Sequence, residues 1–371
     1  MNARSTGIKD TDFVFLIICA ICSTVSVVSM LAIYRHMSLM SSLRPVLVQL
    51  GASVIGIAAA FLISFIDYKE LCEHWKFHSA IAYGLMALTA VIGYAPPGTT
   101  NKAWIQLPFG MSIQTSEILK ISTVLLLAHF FNKYRNNINE IKTLVKLVGI
   151  ALLPLAAVAY QRDGGTLLVF VVIIACMFFA AGISWKVVAM GFAALIVGTP
   201  VLWFVVLEDY QKNRILGLFH PDEYTQTMWQ QMKGRISIGS GRILGKGFFV
   251  DIHNNTPLAY NDFIFSFIAE SIGFVGTVLL LLVIFYMWFR MIQIARRSDM
   301  AGAMICVGIF AMLMAQTFIN IGMNLMLLPV IGVTLPLFTA GGTSVVVVYC
   351  AIGLVMSVAR QNPSTLFDIG G

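Results

Sequence analysis

The sequence predicts an all-α polytopic membrane protein, with about ten transmembrane helices and one large outer-face loop between the seventh and the eighth. Three observations carry that reading. Of 371 residues, 58% are apolar and only 11% are charged, where a soluble domain carries about 25% charge. The mean hydropathy is +0.86. The apolar residues are gathered into runs of about 20, the length that crosses a ~30 Å hydrocarbon core. The same composition excludes a disordered chain, a nucleic-acid-binding domain and a secreted disulfide scaffold.

The runs lie at roughly 13–34, 45–66, 77–95, 115–131, 144–160, 165–182, 186–206, 262–289, 301–324 and 335–358. The first is too long for a cleaved signal peptide and has no small-residue cleavage site before Tyr34 and Arg35. The fourth carries Glu117 and Lys120, and the fifth carries Pro154, so these two are the weakest as spans. Five of the six cysteines (Cys19, Cys22, Cys176, Cys306, Cys350) lie in apolar runs, and Cys72 lies in a short polar loop. All six read as small buried hydrophobes. No internal repeat of the inverted-transporter kind is evident. The chain reads as a single membrane domain over 1–371, with 207–261 as an extracytoplasmic loop within it.

Loop charge sets the orientation. Thirteen of the 24 basic residues, among them Arg4, Lys9, Arg296, Arg297 and Arg360, fall on the side of the N-terminus, against four on the short loops opposite. Both termini are therefore expected in the cytoplasm. The net charge of +7 reflects that bias rather than an acidic partner. The segment 207–261 then faces outward, and its length and glycine-rich GRISIGSGRILGKGFF stretch suggest a lid or re-entrant segment packed over the bundle.

Ionisable groups within spans are functional candidates, because burying them in lipid costs several kcal/mol. Glu117 and Lys120 are spaced i, i+3 and share a helix face. They form either a packing ion pair or part of a site. Asp163 lies in the turn QRDGGT and could simply cap the sixth span. Glu270 must face the bundle interior. Asp262 begins the eighth span in YNDFIFSFIAE, where headgroups meet water, opposite a loop carrying Arg214, Lys233, Arg235, Arg242 and Lys246. It is either a helix cap or a base. A carboxylate facing several cations suits an anionic, lipid-linked substrate: the cations hold phosphate and the carboxylate takes a proton.

Six stretches then resemble one family in order. QTSEILK (114–120) resembles QPSEhhK, QRDGGT (161–166) resembles QPDhGT, and RILGLFHP (214–221) resembles R-hhxFhxP. IGSGRILGKG (238–247), NDFIFSFIAE (261–270) and NIGMNLMLLPVIGVTLPLFTAGGTS (320–344) follow the same family's later signatures. The chain resembles the SEDS proteins (shape, elongation, division and sporulation), the RodA/FtsW glycosyltransferases, over about 100–360. The GKG form and the short N-terminus look more like RodA than FtsW. Departures are Thr115 and Arg162 where the family has Pro, TAGGTS for SYGGSS at Thr339 to Ser344, and TPLAYN for an acidic stretch at Thr256 to Asn261.

The resemblance implies a peptidoglycan glycosyltransferase of the bacterial cell membrane that polymerises lipid II into β-1,4 glycan strands, with inversion, for elongation and cell shape. It implies Asp262 as the catalytic base, and Lys120, Glu117, Arg214, Lys246, Asp163, Thr166 and Asn320 as substrate-binding residues. Asn320 has a second reading as an interhelical hydrogen-bond group. The cofactor implied is none, or a divalent cation (Mg or Mn) that Asp262 could hold. The partners implied are the undecaprenyl pyrophosphate-linked glycan and a class B penicillin-binding protein, a transpeptidase. A lipid II flippase and a non-catalytic scaffold for a transpeptidase are the alternatives.

Overall fold

A computed structural model describes residues 12–37, 40, 42–95, 102–106, 112–254 and 256–362. Arg4 and Lys9, which entered the orientation argument, lie outside the described residues. Each apolar run coincides with a helix. In chain order the elements are α1 (Phe13–His36), α2 (Arg44–Ile63), α3 (Tyr68–Glu73), α4 (Trp75–Ile92), a hairpin of β1 (Trp104–Gln106) and β2 (Ser112–Gln114), α5 (Thr115–Lys133), α6 (Ile141–Tyr160) and α7 (Gly164–Ala180). Then come α8 (Trp185–Val201) with a π-helical turn at Leu202–Val206, α9 (Asp209–Phe219), α10 (Thr225–Ser240), α11 (Ile264–Arg297), α12 (Met300–Asn324) and α13 (Gly342–Gln361).

Among the described residues, seven helices are long and apolar enough to cross a membrane: α1, α2, α6, α8 with its π turn, α11, α12 and α13. The chain is a multi-pass membrane protein. Helix α7 is as apolar but only 17 residues long. Helices α4 and α5 fall short of that mark because they carry polar groups, Lys76 and His78 in one, Glu117, Lys120 and His129 in the other. Protein rather than lipid surrounds α5, which is buried along most of its length from Thr115 to Phe131. That is how it tolerates two charges.

Helices α5, α12 and α13 form the centre of the bundle. Small residues let the backbones meet. A Cβ on Gly353 of α13 would come within 2.8 Å of the backbone of Ala60 in α2, and one on Gly56 of α2 would collide with the Tyr349 ring. Tyr349 is itself fixed, with its hydroxyl 2.7 Å from Ser23 Oγ and donating to Cys19 O at 3.2 Å. Gly56→Val is therefore expected to lower the thermal unfolding midpoint in detergent, at a cost of about 1–3 kcal/mol for overpacking. An unchanged midpoint would contradict the packing described. All six cysteines are free thiols, four of them fully buried.

Two expectations need correction. The eighth run was expected as one helix over 262–289, yet α11 starts at Ile264, runs to Arg297 and breaks at Gly273, whose φ is 69°. The segment before the break, 264–272, is almost wholly buried in protein, and the stretch after it is by itself long enough to cross a ~30 Å hydrocarbon core. The tenth was expected over 335–358, but α13 begins only at Gly342. Residues 325–341 are non-helical, with Leu337 at φ 70° and with Val333, Leu335, Leu337 and Phe338 buried. Such backbone is stable at this depth because protein covers it. The segment 207–261 was expected as a lid or re-entrant segment packed over the bundle, with no elements assigned within it. It contains α9 and α10, and Gly234 and Gly241 bring α10 against Phe263, Ser266 and Ala269 of the α11 segment.

Candidate active site

The polar residues expected from the sequence collect at one end of the bundle, the end that carries 207–261. The β-hairpin runs directly into α5 there. Thr115 is the first residue of α5, the helix position at which a proline fits best. Its hydroxyl bonds instead with Thr89 at 3.0 Å. One turn on, Lys120 Nζ lies 2.7 Å from Glu117 Oε1, and both side chains are almost completely buried. Glu117 Oε2, Ser116 Oγ and Thr123 Oγ1 are buried with no hydrogen-bond partner among the described residues.

Asp163 caps α7, as one of its two readings expected. It accepts from Thr166 N at 3.0 Å and from Thr166 Oγ1 at 2.8 Å. It also accepts from Gln114 Nε2 at 3.1 Å, which ties the α6–α7 turn to the hairpin. Arg162, beside it, has φ 57°, a conformation closed to the proline found there in the resembled family. Its exposed guanidinium pairs with Glu208 at 3.2 Å.

Asp262 occupies the turn ahead of α11 and is partly buried. It is not the helix cap: Phe263 holds that position, without a side-chain cap bond. What is held is the Asp262 backbone. Its carbonyl accepts from Asn320 Nδ2 at 3.1 Å and from Asn324 Nδ2 at 2.9 Å, both reaching up from α12. Asn320 also donates to Val333 O at 2.8 Å. Both hydrogens of its amide are thus committed to the scaffold and the residue is fully buried, so it clamps Asp262 and makes no outward contact in this structure. Asn324 was missed by sequence reasoning, although an Asn four residues after another on one helix face was visible.

The Asp262 carboxylate makes no hydrogen bond to the described residues. Burial pushes its pKa up to about 6, while the positive charge of Arg214 pulls the other way. Arg214, on α9, donates to Val330 O at 2.7 Å and lies over the Tyr210 ring. That contact orients the guanidinium over the non-helical 325–341 stretch. Lys246 was expected to face the same carboxylate. It instead pairs with Glu270 of α11 at 2.5 Å and donates to Ile252 O at 3.0 Å. Arg214 is the cation whose charge acts on the Asp262 carboxylate.

No group of three or more His, Cys, Asp or Glu side chains comes together among the described residues. Asp262 is a single carboxylate with a guanidinium as its charged neighbour, which is poor surroundings for Mg or Mn.

Comparison with known proteins identifies the family. A family model, the cell cycle protein family of FtsW, RodA and SpoVE, matches residues 9–364. The chain belongs to this family. Relatives of the FtsW/RodA/SpoVE chain include the peptidoglycan glycosyltransferase MrdB of Escherichia coli K12, 31% identical over 74% of this chain and 75% of that protein. Stage V sporulation protein E of Bacillus subtilis 168 is 30% identical over 85% of this chain and 86% of its own length. Two solved structures share the fold. The rod shape determining protein RodA of Thermus thermophilus matches with a TM-score of 0.70 at 24% identity, over 96% of this chain and 98% of that one. A chain of a peptidoglycan synthase complex matches with a TM-score of 0.79 at 24% identity, over 96% of this chain and 99% of that one.

Proposed function

We propose that this protein is a peptidoglycan glycosyltransferase that polymerises lipid II on the outer leaflet of the bacterial cell membrane, serving cell elongation and shape. One observation carries the reading: a partly buried carboxylate, Asp262, has no hydrogen bond to the described residues and stands at the loop end of the bundle with Arg214 as its counter-charge. The activity named for the MrdB relative supports it.

The chemistry follows from those groups. A sugar 4-hydroxyl is a poor nucleophile near neutral pH. The Asp262 carboxylate takes its proton as the oxygen attacks C1 of the growing strand. The bond from C1 to the pyrophosphate oxygen breaks as the new glycosidic bond forms on the opposite face, so an α-linked donor gives a β-1,4 product. The electron pair leaves with undecaprenyl pyrophosphate, whose charge Arg214 faces. Lys120, held by Glu117, is the second cation assigned to substrate, and the unpartnered polar oxygens around it support access by a polar group. Asp163 and Thr166 shape the neighbouring turn. A divalent cation, if one takes part, must draw most of its ligands from substrate phosphates, since Asp262 offers one carboxylate.

In this reading 207–261 is extracytoplasmic and both termini are cytoplasmic, as loop charge favours. The chain acts as a single domain. Its partner is a class B penicillin-binding protein that cross-links the strands. The fold shared with a chain of a peptidoglycan synthase complex supports that assignment.

The test is polymerisation of labelled lipid II by the detergent-purified protein across pH. The base works ionised, so turnover should fall tenfold per pH unit below about 6 and level off above it. A flippase would move lipid II across vesicles and make no strands. A rate independent of pH between 5 and 8 would contradict Asp262 as the base.

A further inference from the structure

The break in α11 is filled by another part of the chain. An unbroken helix would bond Phe274 N to Glu270 O and Val275 N to Ser271 O. Here the stretch Arg242–Gly247 is inserted into both bonds. Phe274 N donates to Arg242 O at 2.8 Å and Val275 N to Ile243 O at 3.1 Å. On the other side Lys246 N donates to Glu270 O at 3.0 Å and Gly247 N to Ser271 O at 2.8 Å. All four backbone groups of those two bonds are satisfied.

Two glycines make the insertion possible. Gly245 and Gly273 both have positive φ, 82° and 69°, and a Cβ on either would collide with the other's backbone. Side chains then fasten it. Glu270 is fully buried and accepts from Lys246 Nζ at 2.5 Å, Ser237 Oγ at 2.5 Å, Ser240 Oγ at 2.9 Å and Asn254 N at 3.0 Å, with His253 Nδ1 3.6 Å away. One carboxylate thus joins the end of α10, the loop after it and the short outer half of α11. That half, 264–272, is almost wholly buried and carries Asp262 two residues ahead of its first turn. Its upper end is clamped by Asn320 and Asn324, and its lower end by the splice.

We infer that Lys246 and Glu270 are positioning residues, which set where Asp262 stands by locking the 242–247 splice into α11, and that Lys246 does not hold the substrate diphosphate. The inference rests on the role of Asp262 proposed above. Lys246 has its charge neutralised by a buried partner. Removing one member of such a pair leaves an uncompensated charge, whereas removing both leaves none.

Three variants of the full-length protein decide it: Lys246→Met, Lys246→Arg and the double Lys246→Met/Glu270→Gln. Two readouts are taken, lipid II polymerisation kinetics and hydrogen exchange of the α11 amides. Lys246→Met should lower kcat by about tenfold or more with KM within about threefold, and should deprotect the Phe274 and Val275 amides. Lys246→Arg should keep both close to wild type. The double variant should regain protection and most of the lost kcat. A diphosphate ligand behaves otherwise: KM rises, exchange is unchanged, and the double variant is no better than Lys246→Met. Any of those three results overturns the inference. The exchange readout does not need turnover, so a wild-type protein that makes no strands would sink the proposed function while the splice is still judged.

Discussion

Lys120→Met is expected to destabilise the protein by about 3–5 kcal/mol. The substitution keeps the length and apolar stem of the side chain and removes only the charge. Glu117 is then left without its cationic partner in a site where both side chains are almost fully buried and where Oε2 already has no partner among the described residues. Glu117→Gln is expected to be damaging for the mirror-image reason, a buried ammonium without its anion. The double variant Glu117→Gln/Lys120→Met restores charge balance and should recover most of the lost stability, read as the thermal midpoint in detergent. Activity separates the two readings of the pair. If Lys120 serves the substrate, the double variant is stable yet still makes no strands. If the pair only fixes packing, stability and strand synthesis recover together. This contrasts with Lys246 and Glu270, where the double variant is expected to regain turnover as well.

Much of the fold was legible because a lipid environment enforces a simple pattern. Each apolar run became a helix, and Pro154 in α6 did not prevent it. The Glu117–Lys120 pair was readable because both partners lie on one helix, three residues apart. The cap at Asp163 was readable because capping is local. The elements that escaped depend on distant pieces of chain. Helices α9 and α10 are polar enough to pass for loop; α9 packs on α10 through Gly217 against Met228, and α10 packs on α11. The pairing of Lys246 with Glu270 joins residues 24 apart through a break at Gly273 that no local signal announced, since glycines also occur within unbroken helices. Asp262 was correctly placed at a helix tip. That its backbone carbonyl would be held by Asn320 and Asn324, with no hydrogen bond from the carboxylate to the described residues, required the tertiary structure.

Those two asparagines also explain why a small change at Asp262 should be informative. The clamp grips the main chain, so replacing the side chain leaves α11 in register and removes little beyond the carboxylate. Asp262→Ala is therefore expected to fold, to keep a thermal midpoint within a few degrees of wild type, and to bind lipid II. Its turnover should be lower by the contribution of a positioned base, typically 10²–10⁴-fold, or about 3–5 kcal/mol of barrier. Asp262→Asn should behave alike, because an amide matches the shape but does not take a proton.

The account rests on that carboxylate reacting at the loop end of the bundle, and strand length from labelled lipid II measures it most directly. Purified wild-type protein should convert lipid II into long glycan strands, while Asp262→Ala, equally folded and equally loaded with substrate, should leave it as monomer. Long strands from Asp262→Ala at a rate near wild type would contradict the account.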